Sequence, residues 1–124
     1  MKEVVIAVTY NPRMEKYLIL RRSGEKSKTG EWEFASGKIE EEEEDVKAVK
    51  REFREETVLE IEEIEEGESF REGDFRFKVF RIETFETEVE LSSEHSDYSW
   101  VKGKDIPNPE TADNMGCVLE AADE

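Results

Sequence analysis

Three glutamates, Glu52, Glu55 and Glu56, stand at positions i, i+3 and i+4. In a helix, about 100° per residue brings all three to one face. Unscreened, they repel one another by roughly a few tenths of a kcal/mol per pair. A hard divalent cation removes that repulsion, because Mg2+ prefers carboxylate oxygens and keeps several of its own waters. The chemistry open to such a triplet is therefore dication binding. The plainer reading is a solvated helix face, which is the ordinary fate of acids in a chain with 34 acidic residues among 124. The triplet alone leaves both readings open.

The element that must carry these acids is legible. Val46, Val49 and Phe53 recur at spacings of three and four, the apolar stripe of an amphipathic helix over residues 43–57. On a helical wheel the acids lie beside that stripe, at the rim of a core. Residues 3–9 (EVVIAVT) read as a buried strand, and 16–22 (KYLILRR) as its partner across an Asn11-Pro12 turn. Residues 23–30 form a polar loop, and 32–34 a short strand ending at Ser36-Gly37. Beyond the helix, Leu59, Ile61 and Ile64 predict a strand, 75–85 (FRFKVFRIETF) a longer alternating one, and 98–101 (YSWV) a short aromatic one. Residues 106–109 read as a turn, and the tail as a helix capped by Thr111 or Asp113. Strands and helices mix without a βαβαβ series, which predicts α+β with helix packed on a mixed sheet. The length suits one domain, 1–124.

Charge narrows the partners. The net charge is −16, with 18 basic residues against the 34 acids. Such a field repels duplex nucleic acid and anionic membrane surfaces. No apolar run approaches the ~18 residues of a membrane span, and one cysteine, Cys117, cannot form an internal disulfide. The expectation is a cytoplasmic protein, monomer or homodimer, with a small anionic substrate open to it where a cation screens the charge. The excess acid also fits a high-salt cytoplasm, where an acidic surface stays hydrated.

From Gly37 the sequence runs GKIEEEEEDVKAVKREFREETVL. It resembles the Nudix box, G-x5-E-x7-R-E-U-x-E-E-x-G-U, at Gly37, Glu43, Arg51, Glu52, Phe53, Glu55, Glu56 and Leu59. WEFASGKIE, KYLILRRS and EHSDYSWV resemble flanking segments of MutT-type members, so the likeness spans residues 4–101 with the box at 37–59. The resemblance implies an α/β/α sandwich, a mixed sheet flanked by helices with the box as loop-helix-loop. It implies hydrolysis of a nucleoside diphosphate linked to a group X, using Mg2+ or Mn2+. The short chain and RRS strand look most like MutT-type diphosphatases, which release a nucleoside monophosphate and pyrophosphate from (deoxy)nucleoside triphosphates, oxidised dGTP included. A nucleotide-sugar or other NDP-X pyrophosphatase and a non-catalytic nucleotide-binding module are the alternatives.

Carried over residue by residue, the resemblance makes Glu52, Glu55, Glu56, Glu94 and the Ser36 carbonyl metal ligands. It gives Glu52, Arg51 and Glu94 catalytic roles, Glu52 and Glu94 competing to take the proton and Arg51 holding the carboxylates. Arg22, Glu33 and Asn114 would contact substrate, with Asn108 a second candidate for the base edge. Gly37 and Glu43 would support the box, Glu43 by pairing with Arg51. Two departures stand out. Val58 replaces a glycine suited to positive φ, so the helix must end another way or the backbone there must avoid that conformation. Ala35-Ser36 replaces Pro-Gly. His95 reads as structural, Cys117 as a core residue, and Trp32, Tyr98 and Trp100 as core rather than base-stacking.

Overall fold

The computed structural model describes residues 2–23 and 30–106. Strand β1 (Lys2–Asn11) runs through the middle of the sheet. Val5 and Ala7 enter one core cluster, and Ile6 and Val8 the other, on the opposite face. A strand covered on both faces needs an unbroken apolar run, which VVIAV provides. Strand β2 (Lys16–Arg22) returns antiparallel beside it, pairing Tyr10 with Tyr17. Buried Asn11 closes the turn: its Oδ1 accepts the Arg13 N–H at 2.9 Å, and its Nδ2 donates to the Glu86 carbonyl at 3.1 Å.

Residues 32–38 form two short strands where the sequence predicts one. β3 (Trp32–Glu33) pairs with β2, and β4 (Ala35–Lys38) pairs with β1. Between them the chain crosses at buried Phe34. Ser36 and Gly37 thus lie inside a strand rather than ending one. Helix α1 (Asp45–Thr57) then packs Ala48, Val49 and Phe53 onto the cluster formed by Val5, Leu18, Leu20, Phe80 and Ile82. It begins two residues later than its periodicity predicts. Glu43 lies in the preceding turn instead, its side chain accepting the Glu40 N–H at 3.0 Å.

β5 (Glu63–Glu72) and β6 (Phe75–Glu83) form an antiparallel hairpin turning at Gly73, whose φ is +60°. β6 lies parallel to β1 in a continuous register from Lys2–Phe75 to Tyr10–Glu83. The expected strand around Leu59, Ile61 and Ile64 is displaced, since β5 starts at Glu63 and leaves Leu59 and Ile61 in the connection packed on the core. β5 is the edge strand, so it needs only a thin apolar side, and its glutamates point to solvent. β7 (His95–Val101) pairs with β2, and a 3-10 turn (Gly103–Asp105) follows. Five pairings are antiparallel and one, β1 with β6, is parallel, a mixed sheet as expected. Among the described residues α1 is the single α-helix. The second expected helix, with Asn108, Asn114 and Cys117, falls outside the described residues. No helix among the described residues is long and apolar enough to cross a membrane.

Candidate active site

The site forms where α1 crosses the β3–β4 segment. Burial of Phe53 and Val49 fixes the roll of the helix and turns Glu56 inward, until it is only 3% exposed. There Glu56 Oε1 accepts the Ser36 N–H at 3.0 Å. A strand residue sends its N–H and C=O to the same edge. The Ser36 carbonyl therefore opens on the Glu56 side, away from β1. Glu52, one helical turn earlier, lays its carboxylate on the backbone of Gly37, so closely that a Cβ at position 37 would collide with it. Gly37 is thus required for space, not for a positive φ.

Arg51 gathers the acids on the outer side. Its Nε and Nη2 meet the two carboxylate oxygens of Glu43 at 2.9 and 3.0 Å, a bidentate fork. Its Nη1 reaches Glu52 Oε1 at 2.8 Å and Glu55 Oε1 at 3.5 Å, and Nη2 donates to the Lys38 carbonyl at 3.2 Å. The Arg51 hydrogen bonds, helped by the Glu40 N–H, draw the Glu43 carboxyl down to about 2. The same contacts, Glu43 first, raise Arg51 above its usual range.

The inner side has no such compensation. Burial pushes the Glu56 carboxyl up to about 9, with Glu94, Glu52 and Glu33 adding to the rise and the Ser36 N–H opposing it. Glu94 approaches it from the loop before β7. Burial also raises Glu52, against the pull of Arg51 and with help from Glu55 and Glu94.

Of the residues marked in sequence, the fold brings Glu52, Glu56, Glu94, Ser36 and Gly37 together. Glu55 stands further out, its side chain 58% exposed beside Arg51. Arg22 and Glu33 pair at 3.2 Å on the adjoining strands β2 and β3, and Glu33 faces the cluster. Trp32, Tyr98 and Trp100 pack against the two cores. Asn114 lies outside the described residues.

His95, read in the sequence as structural, lies at the edge of this cluster. It is buried, its Nε2 is 2.9 Å from Glu33 Oε2, and its Nδ1 is 4.0 Å from Glu56 Oε2. Its place next to Glu94 was the available signal, whereas the start of β7 at His95, three residues before the strand the sequence predicts, comes from the structure.

Carboxylate oxygens with one backbone carbonyl are the donor set of a hard dication. Three acids crowding a buried fourth leave negative charge that such an ion would neutralise, so the residues present fit it. Among the described residues, no three His, Cys, Asp or Glu side chains already stand in position to hold an ion.

Val58, where the resemblance puts glycine, adopts φ 61° and ψ 16°. The helix thus closes through the left-handed residue usual at a C-terminus, its N–H bonding the Arg54 carbonyl at 3.0 Å. The expectation that the backbone would avoid this conformation does not hold. Val58 is 57% exposed, and its side chain meets no packing that forbids the turn.

The sequence matches the family model described as NUDIX domain over residues 2–121. A structure from work on MutT of the fish pathogen Aliivibrio salmonicida and of Vibrio cholerae is similar at 24% identity and TM-score 0.80, covering 97% of this chain and 95% of that one. The MutT protein of Methanosarcina mazei Go1 is 25% identical at TM-score 0.74, with 96% and 90% covered. The NUDIX domain of Shewanella oneidensis NrtR, solved with ADP ribose, shares 21% identity at TM-score 0.79, with 96% and 84% covered. The search of curated proteins found no match.

Proposed function

The chain belongs to the NUDIX domain family, hydrolases that act on phosphoanhydride bonds of nucleotides, and from that premise we propose that it cleaves a (deoxy)nucleoside triphosphate to the monophosphate and pyrophosphate, oxidised dGTP being the foremost candidate. The observation that carries the reading is the convergence of Glu52, Glu56 and Glu94 at the Ser36–Gly37 backbone, with Arg51 fixed behind them.

Glu52, Glu56, Glu94 and the Ser36 carbonyl would hold the ion, with Glu55 at the outer rim. Mg2+, or Mn2+ in its place, supplies charge neutralisation of the phosphate oxygens and polarisation of phosphorus. Arg51 orients Glu52 through its 2.8 Å contact and is itself locked by Glu43. A carboxylate of Glu52 or Glu94 takes the proton from the attacking water. Arg22, held by Glu33 at 3.2 Å, contacts a phosphate oxygen, and Asn114 the base. The domain spans 1–124 and works in the cytoplasm on free nucleotides.

The test is turnover of a panel (dGTP, oxidised dGTP, ADP-ribose, nucleotide sugars, dinucleoside polyphosphates) with and without Mg2+, in low and high KCl, products read by phosphorus NMR. The reading expects a nucleoside triphosphate to turn over fastest, yielding pyrophosphate. Preference for a nucleotide sugar or ADP-ribose would move the substrate to NDP-X compounds. No turnover in either salt would remove the enzymatic assignment.

A further inference from the structure

His95 is the chain's one histidine, buried between two carboxylates. Glu33 Oε2 sits 2.9 Å from Nε2. A carboxylate accepts, so Nε2 carries the hydrogen. The other ring nitrogen, Nδ1, is shut off from solvent and has no hydrogen-bond partner. An N–H there would be a stranded buried donor, which is costly. The arrangement that strands no donor has Nδ1 bare, 4.0 Å from Glu56 Oε2.

A bare ring nitrogen and a carboxyl oxygen facing each other in a buried site leave a place for a cation, which would displace the proton Glu56 otherwise holds. The gap is too long for a hydrogen bond. A dication held by both donors would occupy that gap. The partner on the far nitrogen points the same way: a ligating imidazole nearly always gives its second N–H to a carboxylate or carbonyl, which fixes ring and tautomer. Glu33 does that here, and Arg22 in turn fixes Glu33 at 3.2 Å.

We propose that His95 Nδ1 is a nitrogen donor to the ion held by Glu56, and that it biases this site toward a first-row transition dication such as Mn2+ over Mg2+. The inference rests on the dication-dependent reading above and adds a ligand outside the glutamate-rich box. Imidazole nitrogen suits borderline transition ions, whereas Mg2+ favours oxygen alone. Arg22–Glu33–His95 is then a support running from the phosphate-binding side of the site to its metal side.

The experiment uses the tag-free, full-length protein loaded with one equivalent of Mn2+ and read by pulsed EPR. A nitrogen coupling of directly bonded strength is expected, and growing the protein with 15N-histidine should change it to the 15N pattern. That isotope swap leaves the fold untouched. His95→Gln should raise the Mn2+ dissociation constant about tenfold or more and change that of Mg2+ less than about threefold. Bound Mn2+ lacking any histidine-nitrogen coupling, in a protein that still hydrolyses nucleotides, would overturn the ligand assignment and leave the hydrolase reading standing. Equal loss of both ions in His95→Gln would overturn the transition-ion bias.

Discussion

Replacing Glu56 with Gln isolates the cost of burying a carboxylate at the centre of the site. In the metal-free protein this carboxyl is raised to about 9, whereas the unfolded chain holds it near 4.5. Between those values the folded state keeps a proton that the unfolded state has released. The contribution to stability is thus fully present below about pH 4.5 and is lost as pH rises through about 9. One proton of difference gives a slope of about 1.4 kcal/mol per pH unit, on the order of 6 kcal/mol over the whole window and about 3 kcal/mol between about pH 5 and 7. That is a large fraction of the 5–15 kcal/mol typical of a domain this size. Gln keeps the shape and cannot ionise, so Glu56→Gln lacks the slope. The assay is urea unfolding in EDTA across this range for both proteins. Other acids titrate alike in the two, so the difference between the curves reports Glu56. The gap should widen by about 3 kcal/mol from about pH 5 to 7, and saturating Mg2+ should recover stability in the wild type at high pH but not in the variant. Parallel curves in EDTA would refute the argument that Glu56 is buried against uncompensated charge.

Other substitutions probe the supports. Gly37→Ala places a methyl group against the Glu52 carboxylate; it should cost about 1–3 kcal/mol in thermal unfolding and weaken Mg2+ binding measured by calorimetry. Val58→Gly relieves a left-handed β-branched residue; relief of about 1–2 kcal/mol, less the entropy glycine adds to the unfolded chain, should leave it about 0.5–1 kcal/mol more stable by urea unfolding. Arg51→Lys breaks the fork on Glu43. In wild type, that contact stabilises above the ordinary Glu range and is lost as pH falls through about 2. In the variant the Glu43 carboxyl should titrate close to 4.5, followed by carbon-detected NMR. Phe53→Ala, at the buried centre of the helix contact, should cost about 3–5 kcal/mol by the same unfolding assay.

How much of this was legible in the residues follows from physical periodicity. The continuous VVIAV run and the alternation after Phe75 announced β1 and β6, because each is covered enough to need apolar side chains on fixed faces. The 46/49/53 stripe set the roll of α1, and with it the inward turn of Glu56. β5 was poorly legible, since an edge strand with one thinly covered side can be written mostly in glutamate. β4 was hidden because Ser36 and Gly37, read alone, are turn residues; their strand role comes from pairing with β1 across Ile6 and Val5 and from the room Glu52 needs. At the site, box spacing named the acids but could not grade them. Only packing shows Glu56 buried, Glu55 exposed and His95 enclosed between Glu33 and Glu56. Val58 shows the reverse case: local preference disfavours its conformation, and the helix end imposes it at about 1–2 kcal/mol.

The most direct measurement is a Mn2+ titration of the wild type and of the Glu52→Gln/Glu56→Gln double variant, with free ion followed by EPR in low and high KCl. Convergent carboxylates predict a saturable, tight class of binding in the wild type that survives high salt and disappears in the variant. Weak, graded binding that high KCl removes, identical in the two proteins, would mean that the acids form only a charged surface.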